Sequence, residues 1–256
     1  MSLVSRIHKM TILGAHPTFF FSKTKYLFVI SHMRSRSTLL SHILGSNPGV
    51  VGYTELHRPY QSKLDLFKFR ARIYIENRKD IDDKYILDKV LHNSYQFSDS
   101  VLNLKNAKFL FLIREPKGAI KSLLKISNAD DMEYYQDPKN NLTYYQDRLR
   151  DVGELAANNN LNSFFIESED IINEPDKLLK NLSDWLELKE ALSTNYSVFD
   201  KTGKAGFGDI SGNIQSGEIV KTKKNSDITI PPEILNAAMN TYEECKDKLL
   251  ENCLYK

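Results

Sequence analysis

Short, almost unbroken apolar runs recur along this chain, with longer amphipathic stretches between them. Four runs stand out: Tyr26–Ile30 (YLFVI), Tyr85–Leu87 continuing toward Leu91 (YILDKVL), Lys108–Ile113 (KFLFLI) and Ser163–Ile166 (SFFI). They are rich in β-branched and aromatic residues and do not alternate with polar ones. That pattern predicts strands covered on both faces, as in a parallel sheet.

Elsewhere the apolar positions recur every three or four residues, which predicts helices with one buried stripe. The first stripe is Leu39, Leu40, Ile43 and Leu44. The second is Leu64, Leu66, Phe67, Ile73 and Ile75, and the third Ala119, Ile120, Leu123 and Leu124. The fourth is Leu142, Tyr145, Leu149, Val152 and Ala156, and the fifth Leu178, Leu179, Leu182, Trp185 and Leu186. The sixth is Ile234, Leu235, Ala238, Tyr242, Cys245 and Leu249. Strands alternating with helices predict an α/β fold with a mostly parallel central sheet flanked by helices. Neither repeat nor linker divides the chain, so residues 1–256 read as a single domain. Polar residues and Pro138 mark 129–141 as a long loop or lid. Residues 195–227, which hold five of the eleven glycines, read as irregular.

Composition narrows the function classes. At 41% hydrophobic and 27% charged, the chain reads as an ordinary soluble globular protein. No run approaches the ~18 apolar residues of a membrane span, and the N-terminus reads as neither signal nor anchor. Positive and negative charges nearly cancel, at a net +2, so no phosphate-backbone term is expected and no nucleic acid is implied. Cys245 and Cys253 are the only cysteines, spaced to share a helix face and too far apart to bridge. They read as thiols in a reducing compartment, which points to a cytoplasmic location.

Two segments carry candidate chemistry. HMRSRSTLL, His32–Leu40, leaves a predicted strand and opens a predicted helix. Helix N-termini at the carboxyl ends of parallel strands offer unpaired N–H groups to anions. Arg34 and Arg36 add charge, and Ser35, Ser37 and Thr38 add hydroxyls. The segment lacks the glycines and lysine of G-x-x-x-x-G-K-[ST], so a site for the β/γ-phosphates of ATP is not expected. The second segment, REPKGAIKS, places Arg114 at a strand end and Ser122 on the following helix. An arginine and a serine so placed suit one further phosphate, or, on this segment alone, a carboxylate partner for the arginine and an exposed serine on the helix.

Together the segments resemble the sulfotransferases that use 3′-phosphoadenosine 5′-phosphosulfate (PAPS), of the bacterial and carbohydrate type. RSRSTLL, Arg34–Leu40, is similar to that family's 5′-phosphosulfate loop, approximately R-S-G-S-T-L-L. REPKGAIKS, Arg114–Ser122, is similar to its 3′-phosphate motif, approximately R-x-P-x-x-x-x-x-S. Two further runs, Phe164–Leu188 and Gly206–Ile219, resemble trailing elements of the family in the expected order. The resemblance implies a P-loop NTPase-like three-layer fold. It also implies transfer of a sulfonate from PAPS to a hydroxyl, or less favourably an amine, with 3′,5′-ADP as product and no metal required.

On that resemblance Arg34, Ser35, Arg36, Ser37 and Thr38 bind the donor's 5′ side, and Arg114 and Ser122 its 3′ side. Arg34 and Lys89 are the cations for the leaving group. Glu55 is the first candidate for general base, with His92 second and His57 third. Six scattered histidines show no metal-binding spacing. Two departures stand out. Arg36 replaces the usual glycine and is expected to fit with a negative φ. The usual Arg-Lys-Gly of the C-terminal loop is absent, with Lys201 and Lys204 as candidate substitutes. The acceptor is expected to be a small molecule or glycan, with Tyr134, Tyr135, Tyr144 and Tyr145 either stacking on it or packing in the core. The competing readings are a non-catalytic module binding 3′,5′-ADP and a divergent small-molecule kinase.

Overall fold

The computed structural model describes residues 18–77, 81–127, 132–157, 160–200, 202, 212–221 and 228–255. Each of the four apolar runs forms a strand: β1 Lys25–Ser31, β3 Tyr85–Val90, β4 Ala107–Ile113 and β5 Ser163–Glu167. Two-residue strands, β2 Val50–Val51 and β6 Leu254–Tyr255, close the edges. All six are parallel, in the order β2-β3-β1-β4-β5-β6. Two residues are too few to carry a periodic signal, which is why the edges were not predicted.

The six predicted stripes all lie on helices: α1 Ser37–Ser46, α2 Lys63–Asn77, α3 Pro116–Ser127, α4 Pro138–Ala157, α5 Pro175–Trp185 and α6 Pro232–Asn252. Four of them begin on a proline, whose fixed φ and missing N–H suit the first turn. Pro138 therefore starts α4 rather than breaking a loop. Of the predicted lid, residues 129–131 lie outside the described residues, 133–136 form a 3₁₀ turn and 138–141 open α4.

The strands bury both faces. Leu27, Val29, Leu110 and Leu112 pack against α1 and α5. Phe28, Ile30, Phe109 and Phe111 pack against α2, α3, α4 and α6. This is the three-layer α/β fold expected, a P-loop-like sheet between two helical layers. Cys245 is buried on α6, whereas Cys253 lies just past the helix end, and both are free thiols. No described helix is long and apolar enough to cross a membrane. Lys201, Lys204 and Gly206–Ser211 lie outside the described residues.

Strand order places the site. The chain leaves β1 to build β2 and β3 on one side, then returns to lay β4 on the other. Loops therefore part at the carboxyl ends of β1 and β4, the position where open α/β sheets bind ligands.

Candidate functional site

The loop after β1 is tightly turned. Arg34 and Arg36 both adopt left-handed backbone conformations, with φ of 63° and 69°. This corrects the expectation of a negative φ: Arg36 takes the conformation that a glycine would take at no steric cost. Such a residue costs on the order of 1–3 kcal/mol and persists only where its surroundings over-determine it. Here they do. The Arg36 guanidinium donates to Ser168 Oγ at 2.6 Å and to Glu169 Oε1 at 2.8 Å. Arg34 Nε donates to Ser122 Oγ at 2.9 Å, and the Arg34 carbonyl accepts from the Arg114 guanidinium at 2.9 Å. The two sequence segments thus form one structure at the ends of β1 and β4.

Within this loop the hydroxyls differ in placement. Ser35 is fully buried, its Oγ 2.6 Å from Ser31 Oγ, which also lies 2.5 Å from the Leu112 carbonyl. It pins the loop to the sheet. Ser37 and Thr38 begin α1. No side chain caps that helix, so its first-turn N–H groups face the loop without the usual Ser/Thr partner.

Arg114 sits where β4 meets α3. Burial, and the nearby Arg36, lower its pKa to about 10. Its Nε lies 3.8 Å from Glu169 Oε1, so Arg36 and Arg114 share one carboxylate. Gly118, in the first turn of α3, leaves room for this guanidinium: a Cβ there would lie 2.9 Å from Arg114 Nε. The backbone N–H of Arg114 donates to His32 Nε2 at 3.0 Å, and His32 Nδ1 lies 2.8 Å from the Met33 carbonyl. The imidazole is therefore neutral with the proton on Nδ1. Burial pushes its pKa down to about 3.

Lys89, at the end of β3, is buried, and its Nζ reaches Thr38 Oγ1 at 3.5 Å. Its neighbour Asp88 points to the opposite face. There Asp88 accepts from the Leu56 N–H at 2.8 Å and the Tyr60 hydroxyl at 2.5 Å. Those bonds fix the segment that carries Glu55. Burial pushes the Glu55 carboxyl up to about 7, against the opposing pull of Lys89 and Arg148.

Two histidines flank Glu55. His57 Nδ1 lies 3.3 Å and His92 Nε2 3.7 Å from Glu55 Oε1. Burial lowers both imidazoles, His92 to about 4, so they are neutral at pH 7. The three base candidates are thus one cluster, which linear spacing could not show because His92 belongs to a different strand end.

Two of the four tyrosines take the packing role considered for them. Tyr144 accepts from the Met33 N–H at 2.8 Å and donates to the Leu91 carbonyl at 3.1 Å. Tyr145 donates to the Arg114 carbonyl at 2.6 Å. Both buttress the loop. Tyr134 is exposed and Tyr135 is half-buried.

Several residues were missed. Arg148 on α4 donates to the carbonyls of Ser31 and Val90 and to Asn93 Oδ1, which ties the ends of β1 and β3 together. Its signal was a cation on the apolar stripe between Tyr145 and Leu149. Glu169 and Ser168 follow β5 inside the run Phe164–Leu188 and were not singled out there. His32 and Gly118 lay inside quoted motifs without being singled out.

No family model matches the sequence, and no curated protein matches it significantly. Among solved structures, the chain is similar to the "Sulfotransferase Domain from the Synechococcus PCC 7002 Olefin Synthase". That likeness covers 86% of this chain and 96% of the other, with a TM-score of 0.55 and 17% identity. It is a likeness of fold.

Proposed function

We propose that the chain transfers a sulfonate from PAPS to a hydroxyl of a small-molecule or glycan acceptor. The observation that carries this reading is the Arg34–Ser122 hydrogen bond at 2.9 Å. It joins the segment matched to the 5′-phosphosulfate with the segment matched to the 3′-phosphate, at the sheet's switch point. The fold shared with a sulfotransferase domain supports the same reading.

In this reading Arg36, Ser37, Thr38 and the first-turn N–H groups of α1 receive the 5′ end. Ser35 holds the loop. Arg114 and Ser122 receive the 3′-phosphate. The acceptor oxygen attacks sulfur while its proton passes to Glu55. The new O–S bond forms as the bond from sulfur to the 5′-phosphate oxygen breaks, and that oxygen keeps the electron pair. Lys89 and Arg34 neutralise the charge that builds there. Sulfonate transfer, like phosphoryl transfer, depends mainly on positioning and electrostatic stabilisation. His92 is the next residue in line as base.

Calorimetric titration with 3′,5′-ADP, beside ATP with magnesium, tests the donor site. Tight binding of 3′,5′-ADP and none of ATP is expected; binding of ATP alone overturns the reading in favour of a kinase. Turnover is then read with labelled PAPS across acceptors. Glu55→Gln is expected to abolish most turnover and leave 3′,5′-ADP affinity nearly unchanged. Normal turnover in that variant moves the base to His92.

A further inference from the structure

We infer that Glu55, His57 and His92 form a three-ligand site for a divalent cation of the zinc type. One ligand atom from each residue lies within 4.8 Å of the other two. The two distances to Glu55 Oε1, 3.3 and 3.7 Å, are close to a tetrahedral edge. With zinc–nitrogen and zinc–oxygen bonds of about 2.0–2.1 Å, that edge is about 3.3 Å. Two imidazoles and one carboxylate make a familiar donor set for zinc, and the fourth position stays open.

Three further observations favour a ligand here. Glu55 Oε1 is fully buried and receives no hydrogen bond, an arrangement that is costly unless something binds it. His57 holds a left-handed backbone, φ 52°, while its ring sits beside that oxygen. The Tyr95 ring meets both imidazoles edge-on, with centroids 6.0 Å from His57 and 5.8 Å from His92, and so orients the pair. Lys89 and Arg148 act on Glu55 and oppose a cation. The expected affinity is therefore on the order of a micromolar rather than that of a closed structural site.

The site is independent of what the chain transfers. Its consequence rests on the reading of Glu55 as base. An ion on Oε1 occupies the atom that takes the acceptor's proton, so the loaded protein is inhibited.

The test uses the full chain without a histidine tag. Cobalt(II) is titrated and followed by visible absorption, and zinc is titrated by calorimetry. One ion per chain and the intense bands of a low-coordinate cobalt centre are expected. His57→Gly keeps the left-handed backbone, and Glu55→Gln keeps the side-chain shape; each is expected to weaken binding by at least tenfold. Thermal unfolding checks that both variants fold. Absence of binding, or affinity unchanged in both variants, overturns the site. In a turnover assay, one equivalent of zinc is expected to inhibit and a chelator to restore activity. Zinc that binds in the predicted way without inhibiting upholds the site and removes Glu55 as base.

Discussion

Arg36 is held in a left-handed conformation by an ion pair at 2.8 Å to Glu169, a residue 133 positions away. The same carboxylate oxygen lies 3.8 Å from Arg114 Nε. Without an anion, Glu169 is the counter-ion of two arginines that this reading assigns to phosphate. An incoming phosphate must compete with it.

Glu169→Gln is therefore expected to tighten 3′,5′-ADP binding several-fold, because charged hydrogen bonds are worth ~1.5–3 kcal/mol and the competitor loses its charge. The ligand-free protein should become less stable, since two neighbouring guanidinium groups lose their anion. Calorimetry and thermal unfolding read the two effects separately. Weaker binding would mean that Glu169 orients the arginines rather than competing for them.

Arg36→Gly separates strain from charge. Glycine adopts φ 69° without the steric cost, while the partly exposed pair to Glu169 is lost. These effects oppose each other, so the unfolding free energy should change by less than about 1 kcal/mol. Affinity for 3′,5′-ADP should fall several-fold. Urea unfolding beside calorimetry checks both, and unchanged affinity removes Arg36 from the donor site.

Gly118→Ala tests Arg114 without deleting it. Alanine favours the helix by up to about 1 kcal/mol, yet its Cβ would lie 2.9 Å from the guanidinium and displace it. The expected outcome is an intact or slightly more stable fold with 3′,5′-ADP affinity reduced several-fold. Arg114→Ala should reduce it more than about tenfold, the loss of charge-assisted bonds. If Gly118→Ala leaves affinity unchanged, the present guanidinium position is not the one that meets phosphate.

The architecture was readable because its strands are buried on both faces. Phe28 and Val29 face opposite layers, and both layers are apolar, so β1 appears as a continuous run. The loop's role was readable from residue types at a strand end. Its shape was not: only tertiary partners such as Glu169 and Ser122 hold Arg34 and Arg36 left-handed, and none is adjacent in sequence. The cluster at Glu55 was hidden for the same reason. His57 is a near neighbour in the chain, but His92 reaches Glu55 only because the chain turns at the ends of β3. Arg148 was legible in principle, as a cation set among apolar positions. Pro138 shows the opposite error: a residue read as a loop breaker is the first residue of α4.

His32 gives the fold an acid sensitivity whose sign can be worked out. Its folded pKa is about 3, against 6.5 for an ordinary histidine, because burial disfavours the imidazolium. Below pH 6.5 the unfolded chain takes a proton that the folded chain refuses. The contribution is present above pH 6.5 and is lost as pH falls from there toward 3, at about 1.4 kcal/mol per pH unit. His32→Asn removes the titration, at some cost in baseline stability. Between pH 6.5 and 5 the wild type is expected to lose about 2 kcal/mol more than the variant, measured by urea unfolding at each pH. The folded imidazole stays neutral across that range, so the Arg114 N–H keeps its acceptor and 3′,5′-ADP affinity should not fall through this group. Parallel pH profiles for the two proteins would show that the buried imidazole is not the group that titrates.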